Sequence, residues 1–212
     1  MPARLPLAVL SLVLVAGASL AAREKAAPSP AGQVACEGAF AIDSSEARLL
    51  AIYGAGNVWT GIVPGPEGTE MLATRVFDGD PERRLEFVWW DEQARKDPSY
   101  IELGTGMVAT AGVRAGLTVD AVEALNGGPF TLTGFGWDYG GLASPETGAL
   151  AGLPGGCILS IVFEPTRPVA PGTDTAAIDG DRVVASGEPL LDAVDARVYR
   201  VSVGYPHPDF RD

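Results

Sequence analysis

The chain has 212 residues and carries 27 Asp and Glu against 15 Lys and Arg, a formal net charge of −12 with its single His neutral. So acidic a chain lacks the clustered basic charge that holds a polyanion, which excludes nucleic acid as the expected partner. One His and two Cys exclude most metal sites and Ser-His-Asp chemistry, and 47% apolar residues exclude a wholly disordered chain.

The chain opens as an export signal. Met1–Arg4 is short and basic, and Leu5–Leu20 is almost continuously apolar. Ala16-Gly17-Ala18 and Ser19-Leu20-Ala21 both place small residues where a signal peptidase needs them. The expected signal peptide is 1–21. Its apolar run of about 16 residues falls short of the ~20 needed to cross a bilayer, so no stable membrane span is expected after cleavage. Lipid attachment at Cys36 is disfavoured, because the Cys stands well beyond the apolar run and follows Gln33-Val34-Ala35. Residues 22–40, with Pro28, Pro30 and many small side chains, read as a flexible tether. The implied address is periplasmic or extracellular. In that oxidising compartment a Cys36–Cys157 disulfide is favoured over two free thiols.

Residues 41–212 read as a single α+β domain. Ser45 caps a helix over 45–53 whose apolar face is Leu49, Ile52 and Tyr53, ended by Gly54. Strands follow at Val58–Val63 and Met71–Phe77, then a turn at Asp78-Gly79-Asp80-Pro81. The next strand, Leu85–Trp90, turns Leu85, Phe87 and Trp89 to one side, and Tyr100–Leu103 is short. Thr118 caps a second helix over 118–126 with Val119, Val122 and Leu125 on its apolar face and Gly127 at its end. Strands are expected at Phe130–Phe135, Ile158–Phe163 and Arg197–Val203, with an exposed loop over 164–181. In the last strand, simple alternation puts Val198, Arg200 and Ser202 on one face and Tyr199, Val201 and Val203 on the other.

The two helical segments match one another: Ser45 lies on Thr118, Ala51 on Ala124, Ile52 on Leu125 and Gly54 on Gly127. Helices this short cannot persist alone in water, so each must lean on β structure. The expected fold is therefore α+β, with two short-helix-plus-antiparallel-strand repeats, about 45–103 and about 116–205, forming one sheet with the helices on one face.

Gly134-Phe135-Gly136-Trp137-Asp138-Tyr139-Gly140-Gly141 resembles a motif of a family of uncharacterised exported bacterial proteins. Leu125-Asn126-Gly127-Gly128-Pro129-Phe130 and Asp80-Pro81-Glu82-Arg83-Arg84-Leu85-Glu86 fit the same family's pattern. The resemblance spans roughly 45–205 and implies no established activity. More distantly, the capped helix followed by strands is similar to the tandem repeat of the secreted β-lactamase inhibitor protein and to the small lipoprotein of outer-membrane protein assembly. Both are non-enzymatic binders, and the likeness implies only a fold.

Two clusters are candidate sites. Trp137, Asp138 and Tyr139 read either as an exposed aromatic platform with a polar anchor or as a strand with Phe135, Trp137 and Tyr139 packed inward. Trp90 and Asp91, beside Glu92, offer an aromatic with carboxylates. Paired-carboxylate hydrolysis of a glycan or peptidoglycan needs two such groups opposed across a sugar, for instance Asp138 with Asp91 or Glu92. His207, flanked by prolines, reads as solvated, and Asp78-Gly79-Asp80 as a turn in preference to a calcium loop. No catalytic residue, metal site or cofactor is assigned. The expectation is a non-enzymatic domain that binds a protein, peptide or envelope component. The alternatives are a hydrolase, or a secreted enzyme inhibitor acting through residues 60–70 or 142–156.

Overall fold

The computed structural model describes residues 33–211. The expected signal peptide and the tether before Gln33 lie outside the described residues. In chain order the elements are β1 (Gln33–Val34), α1 (Glu46–Tyr53), β2 (Val58–Pro64), β3 (Glu70–Val76), β4 (Leu85–Asp91), β5 (Lys96–Leu103), β6 (Val108–Ala109) and α2 (Val119–Asn126). They continue with β7 (Thr131–Thr133), β8 (Leu142–Ala143), β9 (Ile158–Pro165), β10 (Val183–Ala185), α3 (Pro189–Ala193) and β11 (Ala196–Gly204). The fold is α+β.

Both capped helices form. The Ser45 hydroxyl accepts from the Arg48 N–H at 3.3 Å, and the Thr118 hydroxyl accepts from the Ala121 N–H at 3.2 Å. Gly127 ends α2 in the left-handed conformation, φ 74°, which costs a residue without a Cβ nothing. The apolar face of α1 is narrower than its sequence implies. Leu49 is fully buried and Tyr53 packs edge-on against Phe77 at 5.5 Å, but Ile52 is half exposed.

Seven strands form one antiparallel sheet in the order β2-β3-β4-β5-β11-β9-β8. Leu49 of α1, Val119 and Val122 of α2 and Leu191 of α3 share one buried cluster with Phe87, Trp89, Ile101, Leu159, Ile161 and Phe163 of the sheet. All three helices therefore cover the same face. Stacked rings run through this layer, Phe40 on Phe87 at 6.1 Å, Phe87 on Trp89 at 5.5 Å and Phe130 on Phe163 at 5.9 Å.

The second half departs from a plain repeat of the first. The strand expected over Phe130–Phe135 contracts to β7, which leaves the main sheet and pairs with β10. In β11 the register against β9 shifts between Val198 and Arg200. This bulge inserts one extra residue, so Val198 faces the core together with Val201 and Val203, while Tyr199 turns out to solvent. Simple alternation had put Val198 opposite Val201. The loop over 164–181 is largely exposed, but Ile178 anchors it in the core.

The tether expectation is corrected from Gln33 onward. β1 pairs in parallel with β6, and Val34, Ala39 and Phe40 are buried. Cys36 is joined to Cys157 by a disulfide, with Cα atoms 5.8 Å apart and a sequence separation of 121. The small apolar side chains that read as a linker are here what lets the segment pack closely.

A directed hydrogen-bond chain ties α1 to three strands. The buried Trp89 indole N–H donates to the Thr74 hydroxyl at 3.0 Å, Thr74 and Thr60 hydroxyls bond at 2.9 Å, and Thr60 donates to the Glu46 carboxylate at 2.7 Å. Trp89 has only a proton to give and Glu46 only lone pairs, so Thr74 must donate to Thr60. Arg95 closes the chain by an ion pair with Glu46.

Two outcomes are expected from thermal melts. Thr74→Val strands the buried Trp89 N–H and lowers stability by about 1–3 kcal/mol, whereas Thr74→Ser retains most of it. Replacing Cys36 and Cys157 together by Ser lowers stability by about 2–5 kcal/mol, with the native secondary structure retained in the folded fraction by circular dichroism.

Candidate functional site, the open face of the sheet

Cross-strand partners share a face of a sheet, so the register maps the side opposite the helices. One row runs Trp59, Arg75, Glu86, Glu102, Ser202 and Ser160 across β2, β3, β4, β5, β11 and β9. The next runs Gly61, Ala73, Val88, Tyr100, Gly204 and Ile158. Among the described residues no helix covers these rows.

The second row lies low and apolar. Ala73 and Val88 of this row are buried together with Val63 of the row beyond it, and Met71 and Tyr100 pack against them. The first row is an aromatic followed by alternating charge. The Arg75 guanidinium sits over the Trp59 ring, 5.6 Å from its centre, and its Nε donates to Glu86 at 2.6 Å. Glu102, directly opposite Glu86, is approached by Arg84 and by Arg200, each at 3.6 Å. Burial still outweighs the two arginines and lifts the Glu102 carboxyl above its ordinary range, with Glu86 adding to the rise. Burial, reinforced by Glu86 and Glu102, pushes the Tyr100 hydroxyl up to about 12. The face thus carries a half-exposed Trp, an apolar floor, and carboxylates held by arginines that retain further donors.

The sequence singled out neither Glu86 with Glu102 nor Arg75 with Arg200. Alternation in Leu85-Glu86-Phe87 already turns Glu86 away from the core side, but only the register reveals that Glu102 stands opposite it.

Of the residues expected to form sites, only Trp90 lies on this face; Asp91, Trp137, Asp138 and Tyr139 lie elsewhere. After Phe135, which is buried, the chain turns at Gly136 with φ 87°. The inward-packed strand reading therefore holds for Phe135 alone. Trp137 and Tyr139 are 36% and 41% exposed, meet edge to face at 5.4 Å, and flank the exposed Asp138. The Trp137 indole donates to the Gly134 carbonyl at 2.8 Å, which fixes the ring.

Trp90 is on the open face at the far end of β4. Its indole N–H donates to the Tyr205 carbonyl at 2.9 Å and its ring meets His207 edge to face at 5.0 Å. Asp91 is a turn residue, accepting from the Ala94 N–H at 2.8 Å and lying 3.7 Å from Lys96. The structure does not bring Asp91 and Asp138 together. Asp91 ends β4 and Asp138 lies in the turn before β8, and those two strands stand four spacings apart in the sheet, roughly 19 Å.

The two segments considered as inhibitory loops are also structured. Residues 58–64 are β2, leaving only a tight turn before β3. In 142–156, Leu150 and Leu153 are buried, and the Leu150 N–H donates to the Asn126 side chain at 3.1 Å. One surface depression of 330 Å³ lies beside Trp59, Phe77 and Asp78, and another of 370 Å³ beside Asp120 and Glu123. Among the described residues no cluster of His, Cys, Asp and Glu is placed to hold a metal ion, and no helix is long and apolar enough to cross a membrane.

The raised Glu102 carboxyl carries a signed consequence. The folded chain holds this proton more tightly than the unfolded chain, so its contribution to stability is greatest at low pH and is lost as pH rises from the ordinary carboxylate range through the folded value. Glu102→Gln removes that loss. Its melting temperature relative to the unsubstituted protein is expected to climb between about pH 4 and about pH 7, as measured by melts across that range.

Comparison with the models of known protein families finds no match, and neither the curated proteins nor the solved structures contain a significant match to this chain.

Proposed function

We propose that this chain is an exported, non-enzymatic domain that binds a protein partner of the bacterial envelope or its surroundings through the open face of its sheet. The observation that carries this reading is the uncovered pair of rows from Trp59 to Ser160 and from Gly61 to Ile158. Six strands side by side, each about seven residues long, present a face roughly 24 Å by 23 Å. Its flat projection of roughly 550 Å² is of the order of the ~800 Å² that one partner contributes to a standard protein interface. Trp, Tyr and Arg are the residue types that dominate such contacts. The disulfide agrees with residence in an oxidising compartment, as does the apolar leader in the sequence.

The exposed pair of Trp137 and Tyr139 with Asp138 between them favours a glycan as a second reading, because sugar rings stack on such aromatics while a carboxylate accepts from their hydroxyls.

A photocrosslinking residue placed at Ser202, on the open face, is expected to form saturable adducts with an envelope protein. Trp59→Ala or Arg75→Ala should reduce them at least tenfold. The same probe at Ala124, on the exposed side of α2, should form none. Adducts from Ala124 alone, or equal adducts in the Trp59 and Arg75 variants, would refute the reading. Binding of envelope polysaccharide that is abolished by Trp137→Ala and untouched by Trp59→Ala would select the glycan.

A further inference from the structure

The two edges of the main sheet are built differently. β8 is two residues long, and its Leu142 N–H is taken by the Thr133 hydroxyl at 2.9 Å. β2 is seven residues long and in unbroken register with β3. The Gly65 N–H donates to the Thr69 carbonyl at 2.7 Å and the Phe77 N–H to the Asn57 carbonyl at 2.9 Å. With the two-residue period of an antiparallel ladder, Trp59, Gly61 and Val63 therefore bond to β3, and the N–H and C=O groups of Val58, Thr60 and Ile62 point off the sheet. Among the described residues no strand, turn or side chain bonds to those outward groups.

Natural edges are normally guarded by lysines, bulges or central prolines. β2 has no charged residue and no bulge, and its single proline is its last residue. It is also apolar on both sides. Ile62 is 58% exposed on the helix side and Trp59 is 44% exposed on the open side. The Trp59 ring lies over Gly61, where a Cβ would run into it.

We infer that β2 is a self-association edge, which pairs antiparallel with β2 of a second copy to make one sheet of fourteen strands. The occupant follows from the strand's own sequence. A two-fold axis at Thr60 brings all three outward-bonding residues into register, Val58 against Ile62 of the second copy, Thr60 against Thr60, and Ile62 against Val58. On the open side the same register sets Trp59 against the glycine at 61 of the second copy, so that the two Trp59 rings, each lying over the glycine of its own strand, flank the seam. No strand side chain meets a like charge, although the chain carries a net charge of −12. Glu46, the acid nearest Thr60, is already paired with Arg95. The contact is isologous and closes on itself, so it stops at the dimer.

The test is sedimentation of the full mature chain over a wide range of concentrations. The unsubstituted protein is expected to sediment as a dimer that dissociates on dilution. Ile62→Lys, at an exposed position, should leave only monomer with an unchanged circular dichroism spectrum. Ile62→Thr, which keeps a β-branched side chain, should weaken the dimer without abolishing it. Ile158→Lys, equally exposed but on β9, should leave the dimer intact. A monomer at every concentration overturns the inference, and so does a dimer that Ile62→Lys leaves unchanged or Ile158→Lys dissolves. Binding of an extended peptide to a strictly monomeric chain also overturns it, in favour of a foreign strand at this edge.

Discussion

A sheet buried on only one face is the constraint from which the rest of this molecule follows. The helices and the apolar loops all converge on the side of Phe87, Ile101, Ile161 and Phe163. Hydrophobic burial is thus concentrated in one layer between sheet and helices. The opposite side must keep itself compatible with water while still protecting the backbone. It does so with a low apolar floor under Met71 and Tyr100 and a charged row in which arginines neutralise the glutamates. The same chemistry makes an uncovered sheet tolerable in water and leaves aromatic and charged groups presented on it.

The single core layer also explains where the chain invests in specific bonds. Short helices lying on a sheet are held by few contacts, and α1 is fixed by the chain of donors from Trp89 through Thr74 and Thr60 to Glu46. In a dry setting each bond in such a series polarises the next. At the other side of the layer the disulfide pins the segment before α1 to the start of β9. The Tyr205 hydroxyl, donating to the Phe40 carbonyl at 2.6 Å, ties the end of β11 to that same segment. These long-range links close the core where neither half of the sheet would close it alone.

Aromatic residues divide between the two roles. Phe87, Trp89, Phe130 and Phe163 stack inside. Trp59, Trp90, Trp137 and Tyr139 keep much of their surface in water, yet three of their rings are held by cation–π or indole hydrogen bonds. A ring that is exposed and already oriented loses little conformational freedom on binding, which is the economical way to build a contact surface. The Trp137–Tyr139 turn lies apart from the open face, whereas Trp59 belongs both to that face and to the β2 edge.

Local order was readable from the chain alone wherever it rests on neighbours in sequence. The hydroxyl caps at Ser45 and Thr118, the glycine stops at Gly54 and Gly127, and the strands from Val58 to Trp90 all follow from spacing within a few residues. The cysteine pair was likewise inferable from compartment chemistry. What escaped was decided across distance. The bulge at Tyr199 depends on how β11 meets β9, the anchoring of 33–40 depends on β6, and the turn that expels Trp137 depends on the backbone bridge from Phe135 to Asp179. The row from Trp59 to Ser160 draws one residue from each of six strands, and no window of sequence contains it. Periodicity tells which side of its own strand a residue takes; only the pairing of strands tells which residues become neighbours, because register is set by the packing of the whole layer.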